Sequence, residues 1–200
     1  LFDYALALGT LPRPRGNGVV IQTHSGGPGA TAADSCGRVG LKLPRLSDET
    51  VKKLQPLIPK TASTANPVDM TFSKNHADDY FGIPDAILQD DQVDMLLAYF
   101  VSPTVFIERI LGEMGSAPDA VPEETDNLVR EFARQFISLT GRHPDKPIVG
   151  FTYRSLQETM VRTLLDNGVP VYQEPERAAR SLAALLEYYK KRDEMIAAGK

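Results

Sequence analysis

The run Val19-Val20-Ile21-Gln22-Thr23 passes without a linker into His24-Ser25-Gly26-Gly27-Pro28-Gly29, and then into an alanine-rich stretch that reaches about Arg38. So short a β-branched run reads as a strand buried on both faces. Proline at a first helical position, with Gly37 and Gly40 beyond the end, gives the following segment the polarity of a helix. Three glycines between strand and helix let backbone N–H groups approach an anion without side-chain obstruction. The helix dipole adds roughly half a positive charge at that end. The turn lies at the carboxyl end of its strand, where open α/β sheets bind ligands. It is neither a Walker loop nor a Gly-X-Gly-X-X-Gly fingerprint. On these residues alone, phosphate binding and a bland tight turn both stay open.

The rest of the chain repeats the alternation. A second short strand is expected in residues 41–46, and Ser47-Asp48-Glu49-Thr50 opens a helix with an N-cap hydroxyl and acids in its first turn. Residues 58–75 are irregular and residues 76–89 helical, leading to the strongest apolar run, 93–100, as the central strand. Helical periodicity over 104–112 and 123–139 is followed by a strand in 146–153, a helix in 156–167 and a short strand in 170–172. A last helix runs from Glu174 toward Met195. Such alternation argues for an α/β fold, a doubly wound, mainly parallel sheet of about five or six strands in a three-layer α/β/α sandwich. The domain spans 18–188. Residues 1–17 read as the end of a preceding domain with its linker, and 189–200 as a charged tail or linker.

Composition removes several function classes. The 200 residues carry a net charge of -4, so no basic face is available to neutralise a nucleic-acid backbone. One cysteine excludes an internal disulfide framework and Cys-based metal clusters, as expected of a reducing, cytoplasmic setting. No apolar run approaches the roughly 20 residues of a membrane span. The three histidines lack metal-ligand spacing, and no metal site is expected.

Four segments in order, Val19 to Asp34 around the glycine turn, Leu41-Lys42-Leu43-Pro44-Arg45-Leu46-Ser47, Ala65-Asn66-Pro67-Val68-Asp69-Met70-Thr71 and Gly168-Val169-Pro170-Val171-Tyr172-Gln173-Glu174-Pro175-Glu176-Arg177-Ala178, resemble the NDP-forming acyl-CoA synthetases related to succinyl-CoA synthetase. The resemblance covers roughly residues 1–190 and implies the family's flavodoxin-like CoA-ligase domain, the one that follows the phosphohistidine domain. It implies a reaction in which acid, CoA and ATP give acyl-CoA, ADP and phosphate, through an acyl phosphate and a phosphohistidine clamped by helix N-termini. By that resemblance Ser25, Gly26, Gly27 and Gly29 hold the phosphoryl group, with Thr23, His24, Asn66 and Asp69 as accessory contacts. His24 stands where the family more usually has asparagine. The phosphoacceptor histidine is expected upstream of Leu1, and no catalytic residue within the chain. Phosphate or phosphohistidine would occupy the turn, while ATP, Mg and CoA belong to the whole enzyme. The partners implied are the CoA-binding, phosphohistidine and ATP-grasp domains, in an oligomeric enzyme, and the chain alone is expected to be inactive.

Other readings are weaker. Ser25 is in a cradle rather than a Gly-X-Ser-X-Gly elbow, so hydrolase chemistry is not favoured. His24 sits where donors are needed, not where a mobile carrier would be. His76 and His143 read as surface residues, Asp78-Asp79 and Asp90-Asp91 as solvated charge, Cys36 as a buried inert thiol, and Leu182, Leu185 and Leu186 as core. Ser102-Pro103-Thr104 follows the central strand at a ligand-bearing edge. The alternative function is a stand-alone phosphate- or nucleotide-sensing module on the same scaffold.

Overall fold

Burial of the β-branched run organises the molecule. In the computed structural model, which describes residues 1–71, 73, 75–101 and 103–199, strand β1 (Val19–Thr23) is buried along its whole length. It lies between β2 (Val68–Asp69) and β3 (Met95–Tyr99), both parallel to it. Strands β4 (Ile148–Phe151) and β5 (Val171–Tyr172) extend the sheet, giving the order β2-β1-β3-β4-β5 with every pairing parallel. This is the flavodoxin-like strand order, and β3 occupies the centre. The register places Val19 beside Met95 and Leu97 beside Val149.

Because side chains alternate along a strand, the same five strands feed two separate cores. One contains Val20, Leu96, Ala98, Ile148 and Val171. It is covered by α3 (Asp48–Leu54), α4 (His76–Tyr80), α5 (Gly82–Leu88), α7 (Val121–Arg142) and α8 (Thr159–Asp166). The other contains Val19, Ile21, Met95, Leu97, Val149 and Phe151. It is covered by α1 (Phe2–Thr10), α2 (Gly26–Arg38) and α9 (Pro175–Ala197). Helix α1 inserts Ala7 into this second core, and Asp3 accepts twice from Arg177 of α9, at 2.7 and 2.6 Å. Helix α6 (Thr104–Glu113) follows β3 and leaves Val105 exposed.

Three local expectations differ from the structure. Residues 41–46 form no strand: a single parallel bridge joins Gly18 and Lys42, and Pro44 has no N–H to continue a ladder. The edge position goes instead to β2, inside the stretch that reads as irregular. The helix expected over 76–89 is two helices, broken at Phe81, whose backbone is non-helical, and Pro84, three residues further on, would obstruct a continuous turn. The charged segment after Tyr188 continues α9 as helix to Ala197.

Candidate functional site

The turn after β1 is built from the strand outward. Thr23 is fully buried and its side chain is spent on the turn: Oγ1 accepts from Ser25 N at 3.1 Å and donates to the Ser25 carbonyl at 2.8 Å. Ser25 is then the N-cap of α2, in extended backbone conformation. The helix starts at Gly26, two residues earlier than the proline suggests. Pro28 therefore occupies the third helical position and supplies no N–H. Gly29 N already donates to the Ser25 carbonyl at 3.2 Å. That leaves the amides of Gly26 and Gly27, which have no partner among the described residues, and the exposed Ser25 hydroxyl. Two donors at the positive end of a thirteen-residue helix are an arrangement that could accept a small anion.

The glycines of this turn do different work. A Cβ on Gly27 would meet nothing within 4 Å, and its φ is not positive, so neither packing nor backbone conformation within this domain requires a glycine there. A Cβ on Gly29 would lie 2.8 Å from Thr23 Cγ2 and 3.4 Å from Pro67 Cβ, so that glycine lets α2 pack against the sheet. Among the accessory residues, Asn66 has both side-chain polar atoms committed to backbone. Its Oδ1 accepts from Ile21 N at 3.0 Å, and Nδ2 donates to the carbonyls of Val19 at 2.8 Å and Pro44 at 3.1 Å. It thus completes the edge of β1 where β2 has not begun, next to a cis Asn66–Pro67 peptide. Asp69 ends β2 beside the turn, with Oδ2 3.6 Å from where a Gly26 Cβ would be and Oδ1 accepting from Thr71 N at 3.0 Å. An ionised carboxylate only accepts, so Asp69 suits a donor or a cation better than phosphoryl oxygens.

His24 joins the turn to a cluster that the sequence does not reveal. Its Nδ1 faces Asp79 Oδ2 at 3.9 Å. Asp79, which reads as solvated charge, is only 2% exposed. His76, which reads as a surface residue, points its Nδ1 at the same oxygen from 3.3 Å, and Ser73 Oγ donates to it at 2.8 Å. Burial lowers the His24 pKa below that of an ordinary imidazole, against the opposing pull of the Asp79 charge. Burial likewise raises the Asp79 carboxyl, while the charge of His24 pulls it down. The hint in the sequence is the His76-X-X-Asp79 spacing, which puts both side chains on one face of a helix. Thr71, beside this cluster, holds φ 50, uncommon for a β-branched residue.

Other residues lie elsewhere. His143 and Asp90 are not loose surface groups. The imidazole of His143 contacts Asp85 Oδ1 at 2.9 Å, and Asp90 is 4% exposed. Cys36 is buried, which pushes its thiol up to about 12. Ser102 lies outside the described residues. No group of acidic, cysteine or histidine side chains among the described residues could hold a metal ion, and no described helix is long and apolar enough to cross a membrane.

The fold and this edge define a doubly wound α/β domain with a glycine turn that opens a helix directly after its first strand. No protein-family model matches the chain. It is 33% identical over 182 residues to the α subunit of an ADP-forming acetate–CoA ligase II from Pyrococcus furiosus, an alignment covering 90% of this chain and 36% of that one. It is 31% identical over 190 residues to the α subunit of the ADP-forming acetate–CoA ligase I of the same organism, covering 94% and 36%. A crystal structure of a Pyrococcus horikoshii protein superposes with a TM-score of 0.75 at 32% identity, covering 95% of this chain and 40% of the other. The chain belongs to the NDP-forming acyl-CoA synthetase family and spans 36% of the length of these two ligase subunits.

Proposed function

We propose that this chain is the part of an ADP-forming acyl-CoA synthetase that holds the phosphoryl group in transit, with the Ser25 hydroxyl and the amides of Gly26 and Gly27 as its donors. The observation that carries this reading is the pair of amides at the start of α2, at the carboxyl edge of the sheet, that have no partner among the described residues. Donors fixed in advance stabilise charge on a transferring phosphoryl group without reorganisation. The phosphoryl group would arrive on a histidine outside this chain. ATP with Mg, CoA and the acid would be bound by the nucleotide, CoA-binding and phosphohistidine domains of the same oligomeric, cytoplasmic enzyme. Gly29 contributes by seating the helix, Thr23 by shaping the turn and Asn66 by holding the strand edge. The isolated chain should therefore make no acyl-CoA from acid, ATP and CoA.

The test is Gly27→Val in the full-length enzyme. The new side chain enters open space within this domain, so thermal unfolding should stay close to wild type. It would crowd the two amides, and loss of a donor to the transferring group costs roughly a hundredfold or more in rate. Histidine phosphorylation and acyl-CoA formation should both fall by that order. A variant that phosphorylates at the wild-type rate would leave the turn a turn only.

A further inference from the structure

His24 is the titratable residue of the turn, and what surrounds it comes from elements distant in sequence. Asp79, on the far side of β1, is anchored by Gln22 Nε2, which donates to its carbonyl at 2.7 Å. One carboxylate oxygen, Oδ2, is shared by Ser73, His76 and His24. The other, Oδ1, is enclosed and has no partner among the described residues. Gln22 Oε1 and Thr71 Oγ1 are enclosed and likewise have no partner among the described residues. Polar groups left in this state cost stability, and they concentrate where a structure serves a ligand rather than itself. The charged and titratable groups facing His24 among the described residues are Asp79 and His76 on α4 and Asp69 on β2. His76 is in turn backed edge-on by Phe106 of α6, with ring centres 4.3 Å apart.

The balance at His24 is between burial, which favours the neutral ring, and two carboxylates, which favour the cation. Burial is the larger, which holds the ring below the ordinary imidazole value and favours its neutral form. A phosphoryl dianion against the Gly26 and Gly27 amides adds negative charge within the same turn and tips the balance.

We propose that His24 is the proton-binding residue of this cradle: with Asp79 facing its Nδ1, the imidazole takes up one proton from solvent when a phosphoryl dianion occupies the turn, and holds that dianion as a charged partner. This rests on the phosphoryl-holding reading above. It makes the cradle's grip depend on pH in a way that an asparagine at the same position would not. Affinity is highest where His24 can be protonated and falls as pH rises through its ligand-bound pKa.

The experiment is a titration of the imidazole NMR signals of the 200-residue chain, with and without saturating inorganic phosphate and with chloride at matched ionic strength. His24, His76 and His143 are assigned by single replacements with asparagine. Phosphate should raise the His24 midpoint by about one pH unit while leaving His143 unmoved. In Asp79→Asn the rise should be largely lost. His24→Asn, whose folding is checked by its amide spectrum, should bind phosphate with an affinity about tenfold less sensitive to pH between about pH 6 and pH 8 than wild type. If phosphate shifts the Gly26 and Gly27 amides but not the His24 midpoint, the proton-binding role is overturned and the phosphoryl-holding function stands. If neither responds, both are overturned.

Discussion

The two ends of the sheet handle buried polar groups in opposite ways. At the amino end every group in the main network is matched. Asp85 accepts from Arg142 Nε at 2.9 Å and from Gln89 Nε2 at 2.7 Å, and His143 meets it at 2.9 Å. Asp90 accepts from the amides of Ser47 at 2.7 Å and Gln92 at 2.9 Å, and Lys146 Nζ donates to the carbonyls of Leu88 and Asp90 at 2.7 and 2.8 Å. At the carboxyl end, Gln22, Thr71 and Asp79 each bury an atom that has no partner among the described residues, and two helix amides are likewise unpaired. The titrations follow the same division. Burial pushes Asp85 and Asp90 upward, but their donors outweigh it and leave both low. Burial wins at Asp79, which is raised. The amino end satisfies its buried polar groups, and the carboxyl end, where the phosphoryl-holding site is proposed, leaves several of them unsatisfied among the described residues.

The contrast can be broken by substitution. Asp90→Ala should cost the most, about 3 kcal/mol, because it strips a buried carboxylate from two amides; chemical denaturation reads this directly, and a loss near zero would mean that the amino end is not the stable one. Within the glycine turn, Gly29→Ala should cost about 1–3 kcal/mol through its contact with Thr23. Gly27→Ala, in open space on a helix, should gain up to about 1 kcal/mol through a stiffer unfolded chain. Equal effects at the two glycines would erase the distinction between packing and approach.

Asp79→Asn should have the opposite sign to Asp90→Ala and a smaller size, a gain of under about 1 kcal/mol near neutral pH. A carboxyl raised in the folded state binds its proton more tightly there. The stability it contributes is present at low pH and is lost as pH rises from about 4 through the folded value. The lowered Asp85 and Asp90 behave inversely, contributing above about pH 4 and losing that contribution as pH falls through their folded values. Thermal unfolding across pH should thus show the Asp79→Asn gain growing as pH rises from 4. A constant gain would remove ionisation as its cause.

The sequence by itself determined the alternation of strand and helix, the central place of residues 93–100 and the glycine turn at a strand's carboxyl end. Those are properties of local pattern: hydrophobic period, β-branching and the freedom of glycine act over a few residues and need no partner. Only the tertiary structure decided that β2 rather than 41–46 pairs with β1, because the choice rests on Pro44 lacking a donor and on the Asn66 side chain reaching across to Ile21 and Val19. It also decided which glycine opens the turn and which one packs, since that depends on how closely α2 approaches Thr23 and Pro67. And it brought Asp79 to His24, a meeting that follows from Gln22 of β1 fastening α4 over the strand end. Charges in sequence read as solvated until the chain folds over them; burial, a property of the whole molecule, is what gives these their chemistry.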